Sequence, residues 1–190
     1  TALIGGDTVG SGQLVLSVTV IGQAEPDQIL YRSGARAGDQ VWVSGPLGQA
    51  AAGLDLCRRA EEGARQQWPR LVDAHLDPRP RVQLGRLLAA SGLVHAMMDL
   101  SDGLATDLAH LCAESKVGAE IRAERLPVSG ALQEAAAFLD RPAADYALRG
   151  GEDYELLFTA SPSAGPALAK LVREATGQEI HRVGEIEAAS

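Results

Sequence analysis

The chain has 190 residues, of which 46% are hydrophobic, 22% charged and only 4% aromatic. That is enough apolar content to bury one sizeable, mainly aliphatic core. A net charge of −8 argues against nucleic acid as a partner but leaves anionic substrates open, because a divalent cation held by carboxylates reverses the local sign.

Residues 13–22, QLVLSVTVIG, alternate apolar and polar around β-branched types and predict a strand, broken by AEPDQ. Residues 38–45, GDQVWVSG, predict a second strand entered through a Gly38-Asp39 turn, and residues 46–63 an amphipathic helix ending near Gly63. Residues 64–80 carry Pro69, Pro78 and Pro80 and read as a loop with at most a short helix. In residues 81–92, Val82, Leu84, Leu87 and Leu88 have helical spacing and Gly92 is placed to end the helix.

Residues 93–100 predict a short buried strand. Residues 103–115 predict a helix whose apolar face is Leu104, Leu108, Leu111 and Cys112. A strand over 118–126, a helix over 129–139 and a strand over 154–161 follow, the last with Tyr154, Leu156 and Phe158 on one face. A helix over 163–177 and a strand over 179–187 close the chain. The alternation predicts the α/β class, a layered sheet with helices, and there is no internal repeat.

Cys57 and Cys112 lie in helical patterns without a CxxC pair, as reduced thiols in the cytoplasm do. No run has the apolar length of a transmembrane helix and no signal peptide opens the chain, so no membrane partner is expected. The first residue is Thr1 rather than Met, which reads as a piece of a longer protein.

Three clusters concentrate acid and glycine. In GGDT, Gly5 to Thr8, the glycines permit close backbone approach and Asp7 offers oxygens to a hard cation; taken alone, a polar turn before a strand is the better explanation. In MDLSDGL, Asp99 ends a strand while Asp102 and Gly103 start a helix. Ser101 or Asp102 is a natural helix cap, which leaves Asp99, expected at a buried strand end, in need of a cation or a donor. In RGGEDYELLFT, residues 149–159, Gly150 and Gly151 precede the adjacent acids Glu152 and Asp153, and a charged loop before an edge strand is the competing explanation.

Other candidates are weaker. SGPLGQAAAG lacks the GK[ST] ending of a phosphate loop, and His75, His95, His110 and His181 show no metal-ligand spacing. Arg32, before SGARAGD, is a possible phosphate contact or a solvated side chain. No Ser-His-Asp order supports nucleophilic hydrolysis.

Taken in order, GGDT, RSGARAGD, DLSDGLATDL and GGEDYELLFT resemble the thiamine-monophosphate kinases, a branch of the aminoimidazole ribonucleotide synthase-like superfamily of ATP-dependent enzymes. The resemblance implies the C-terminal domain of that fold over residues 26–190. Residues 1–25 would then be the last strand or strands of an N-terminal domain that pairs in a homodimer. Roughly a hundred residues are expected upstream, and a C-terminal tail with an aromatic residue that meets thiamine is expected after GEIEAAS.

The implied reaction moves the γ-phosphoryl group of ATP to thiamine phosphate, with Mg²⁺ as cofactor and no protein base, since a phosphate monoester with a second pKa of about 6 is mostly a dianion at neutral pH. By resemblance, Asp7, Asp99 and Asp102 would hold Mg²⁺. Gly6, Asp7, Arg32 and Ser101 would meet ATP, and Glu152 the thiamine substrate; Asp153 and Tyr154 carry no assigned role. The alternatives are another ATP-dependent synthase of the superfamily and an inert structural domain.

Overall fold

The computed structural model describes residues 2–59 and 63–189. The β-branched and apolar runs form one five-stranded sheet, from β1 (Gln40–Val43), β2 (Val94–Asp99), β3 (Val117–Ile121), β4 (Leu156–Ala160) and β5 (His181–Ala188). Their order is β2-β4-β1-β5-β3, and every neighbouring pair is antiparallel. The pairs Val43↔Leu157 and Asp99↔Leu156 bring the ends of β1 and β2 beside the start of β4. That end of the sheet positions the candidate site.

The helices are α1 (Gln49–Arg58), α2 (Ala64–Gln67), α3 (Pro69–Leu76), α4 (Val82–Ala90), α5 (Leu104–Ser115), α6 (Gly130–Phe138), α7 (Ala143–Arg149) and α8 (Gly165–Thr176). Both sheet faces are covered. Val41, Val43, Ala96, Met98 and Leu157 pack with the predicted α5 face, Leu104, Leu108, Leu111 and Cys112, all buried. Trp42, Val94, Phe158 and Ala160 pack with Leu84 and Leu88 of α4 and Leu168 and Val172 of α8. A third cluster joins α1, α3 and α6 through Leu56, Leu71, Leu132 and Tyr146 of α7. Burial on both faces explains why β4 reads as the continuous run LLFTA rather than as an alternation.

The structure departs from the sequence expectations in five places; one is the strand expected over 118–126, which ends at Ile121 before a 3-10 turn over Ala123–Arg125. Residues 13–22 form no strand: residues 2–24 carry no regular element, and Leu14, Leu16, Val18 and Val20 are 89%, 82%, 84% and 78% exposed. A strand takes its hydrogen bonds from a neighbour, and none of the five strands pairs with this segment. Pro69 does not break the chain but opens α3 at its first position, where its missing N–H is harmless. Helix α7 fills a stretch the sequence reading left unassigned. Finally, β4 starts at Leu156, because Tyr154 has φ +49° and stands outside the strand. The predicted continuation of α1 over 60–62 lies outside the described residues; α1 ends at Arg58.

Candidate active site

Three segments meet at this end of the sheet: 44–48 after β1, 99–103 after β2 and 149–155 before β4. The last two are joined along their backbones. Leu100 N–H donates to the Glu155 carbonyl (2.8 Å), Tyr154 N–H to the Leu100 carbonyl (2.9 Å) and Glu152 N–H to the Ser101 carbonyl (2.8 Å). Two glycines make this approach possible. A Cβ at Gly151 would lie 2.6 Å from the Ser101 carbonyl oxygen, and one at Gly103, already at φ +100°, 2.9 Å from the Arg149 carbonyl carbon. Glu152 (φ +67°) and Tyr154 (φ +49°) are held left-handed, a strained geometry that clusters at functional sites.

The carboxylates divide into exposed and buried. Asp99 and Asp102 are exposed, and among the described residues neither makes a side-chain hydrogen bond or ion pair. Asp99 is therefore not the buried charge expected at the strand end; its side chain leaves β2 toward water and needs no buried partner. The capping explanation for Ser101 and Asp102 also fails. The N-cap of α5 is Gly103, which has no side chain to cap with. The buried acid is Asp107, 1% exposed, in the first turn of α5. Its Oδ2 accepts the backbone N–H groups of Ser101 and Asp102, both at 3.0 Å. Burial raises the Asp107 pKa; the two amide donors oppose this, and the charges of Asp102 and Asp99 add to it.

In the segment before β4, Asp153 accepts the N–H groups of Gly48 (2.5 Å) and Ala50 (3.0 Å) at the start of α1. Burial pushes its pKa up to about 6 in spite of those donors. Glu155, 2% exposed, accepts from the Ser44 hydroxyl (2.5 Å) and from Arg81 in a two-pronged pair, Nε at 2.9 Å and Nη2 closer still. Both acids border a cleft of about 520 Å³ whose other walls include Gln49, Arg70, Asp73 and Arg79. Exposed Glu152 lies 3.4 Å from Nδ1 of His75 on α3.

The fold thus gathers Asp99, Ser101, Asp102 and Glu152 on two joined loops. It does not gather the other predicted residues with them. Gly6 and Asp7 lie on the exposed segment before β1, where Asp7 Oδ1 accepts, among the described residues, only the adjacent Thr8 N–H (2.8 Å). Exposed Arg32 is anchored by its carbonyl, which accepts the Ser115 hydroxyl (2.9 Å) at the far end of α5 from Asp102. That helix of 12 residues is about 18 Å long. Among the described residues no group of three or more His, Cys, Asp or Glu is arranged to hold a metal.

Residues 36–190 match the family described as AIR synthase related protein, C-terminal domain. The chain belongs to this family. Thiamine-monophosphate kinase of Haemophilus influenzae (strain ATCC 51907 / DSM 11121 / KW20 / Rd) is 40% identical to it over 161 residues, 84% of this chain and 47% of that protein. A crystal structure of thiamine-monophosphate kinase from Stenotrophomonas maltophilia K279a superposes with TM-score 0.77 at 39% identity, covering 89% of this chain and 56% of that one. AaThiL complexed with AMPPCP and TMP superposes with TM-score 0.72 at 35% identity, covering 84% and 48%. The AIR synthase related chain spans about half the length of the curated relatives it matches.

Sequence reasoning missed three residues that shape this AIR synthase related site from beneath, Asp107, Glu155 and Arg81, and noted Asp153 without giving it a role. One signal was available. Asp107 falls at i+3 from Leu104 on the apolar stripe of α5, where a charge is out of place unless it is hydrogen-bonded.

Proposed function

We propose that this chain contributes one wall of a kinase site that transfers the γ-phosphoryl group of ATP to thiamine phosphate, giving thiamine diphosphate and ADP. The observation that carries the reading is the backbone junction between residues 100–101 and 152–155, which holds the phosphate-side candidates and Glu152 on one rigid unit. Support comes also from 39–40% identity to proteins named thiamine-monophosphate kinase and from the likeness to AaThiL with AMPPCP, an ATP analogue, and TMP.

Asp99 and Asp102 would hold Mg²⁺. Two exposed carboxylates without partners among the described residues, beside the Ser101 hydroxyl, suit a cation that prefers oxygen and keeps part of its water and phosphate shell. Asp7 would join them from the segment before β1. Bound there, Mg²⁺ supplies neutralisation of converging phosphate charge. The protein's own part is positioning: Ser101 and Gly6 toward the nucleotide phosphates, Arg32 toward ATP, Glu152 toward the thiamine moiety. No protein base is required, because the acceptor phosphate is already an anion. Residues 1–25 would belong to an N-terminal domain that completes the site and forms a homodimer, in keeping with the exposed apolar side chains of that segment. A cytoplasmic setting fits the free thiols Cys57 and Cys112. Among the described residues, no helix is long and apolar enough to cross a membrane.

The test is thiamine diphosphate formation from thiamine phosphate and Mg-ATP by the full gene product, with Asp102→Asn as the variant. A fall in kcat on the order of a hundredfold or more is expected, with a raised Mg²⁺ requirement. Unchanged kcat and Mg²⁺ dependence would remove Asp102 from the site. Turnover of another phosphate acceptor in place of thiamine phosphate would replace the kinase assignment.

A further inference from the structure

We infer that Asp107 is a positioning residue for the phosphate-side loop, setting where Ser101 and Asp102 point without itself meeting metal or nucleotide. The inference deepens the kinase reading and rests on it for the identity of what the loop holds.

Among the described residues, the loop has no other side-chain acceptor for its own amides. Helix α5 begins at a glycine cap with φ +100° and ψ 152°, which has no side chain to accept first-turn N–H groups. The Asp107 carboxylate points the other way, from inside the first turn to the amides that precede the helix. Its backbone N–H donates to the Gly103 carbonyl (3.0 Å), while its side chain reaches back past Gly103 to the amides of Ser101 and Asp102. Both donors converge on the same oxygen, Oδ2. The backbone is thereby bent so that the polar side chains of Ser101 and Asp102 are released from capping, and Asp102 turns outward.

The carbonyl side of the same residues is held by the other loop: Ser101 accepts from Glu152 N–H, and Leu100 from Tyr154 N–H. Asp107 on one side and the segment 152–154 on the other fix residues 100–102 from both edges. At 1% exposure, Asp107 is itself withdrawn from any ligand that the exposed acids meet. One buried carboxylate thus serves a loop whose own acids remain available.

The chemistry of the contact makes a sharp test. Only Oδ2 accepts the two amides, so Asn, with its carbonyl oxygen in that place, preserves both hydrogen bonds and removes the charge. Ala removes both. In the 190-residue chain, Asp107→Ala is expected to speed hydrogen exchange at the amides of Ser101 and Asp102 by on the order of tenfold or more, with Asp107→Asn close to wild type. In the full gene product, Asp107→Ala is expected to raise the Mg²⁺ concentration for half-maximal rate by on the order of 10–100-fold, with the KM for thiamine phosphate within about twofold of wild type. Leu111→Val, buried one turn further along α5, is the control for general loosening of the helix.

Unchanged amide exchange in Asp107→Ala overturns the proposal. So does an Asn variant as impaired as Ala, which would mean that the carboxylate charge acts on the cation directly. A shift in Mg²⁺ dependence no larger than that of Leu111→Val overturns it too. If the wild-type gene product does not phosphorylate thiamine phosphate, the kinase reading fails, and the exchange measurement still decides whether Asp107 shapes the loop.

Discussion

In the loop after β2, the exposed pair Asp99 and Asp102 is backed by one buried carboxylate, Asp107; in the loop before β4, exposed Glu152 is backed by buried Glu155 and half-buried Asp153. The two loops differ in where these backing acids find donors. Asp107 binds amides five and six positions away, within its own loop. Asp153 binds the start of α1 across 103 and 105 positions, and Glu155 binds Arg81 and Ser44 across 74 and 111. The first loop is shaped largely by its own sequence. The second is an anchor for the domain, and its geometry exists only once α1 and the segment before α4 have docked. Damage to the second should therefore appear as lost stability, and damage to the first as lost function.

The largest expected effect tests that division. Arg81→Ala leaves the Glu155 carboxylate buried with only the Ser44 hydroxyl, and should cost about 3–5 kcal/mol in urea unfolding. Adding Glu155→Gln to that variant should recover part of the loss by removing the stranded charge. A cost below about 1 kcal/mol would show that the pair behaves as a solvated surface bridge and that the second loop is not an anchor.

A smaller effect follows from Asp153. Its folded pKa is pushed up from 3.8 to about 6, so the folded protein holds a proton that the unfolded chain has already released. Its contribution to stability is present in full below about pH 4 and is lost as pH rises through about 6, amounting to about 1–3 kcal/mol. The stability difference between wild type and Asp153→Asn, measured by urea unfolding at pH 4 and pH 7, should shift against the wild type by that amount. A difference that does not change with pH would mean that the amides of Gly48 and Ala50 hold the carboxylate ionised in spite of its burial.

The smallest effect belongs to the first loop. Asp99→Asn, exposed and without a protein partner among the described residues, should change unfolding free energy by no more than about 0.5 kcal/mol. A larger loss would place Asp99 among the buried, organising acids and erase the contrast with Asp107.

Much of the fold was legible because its signals are local. The apolar face of α5 and Gly92 in the left-handed region after α4 are each set by residues within a turn or two. Asp99, Asp102 and Glu152 were legible as candidates because acids beside glycines at element ends stand out in any order. Their environments were not. Asp99 reads as buried from its apolar neighbours, yet the edge position of β2 and the last-residue geometry turn it to water. The strand expected over 13–22 did not form for the converse reason, since its pattern is right but none of the five strands pairs with it.

The amino-acid sequence alone determined the class of the fold, most of its elements and the short list of acids and glycines from which a phosphate site can be built, because periodicity and composition act over a few residues. Only the tertiary structure decided which acids are exposed ligand candidates and which are buried organisers. It also decided that the loops carrying Ser101 and Glu152 form one unit. Those outcomes depend on hydrogen bonds between positions about 50 to 110 apart in the chain, and on two glycines whose missing Cβ atoms let the backbones touch. No local pattern encodes a carboxylate's solvent; the packing of the elements around it does.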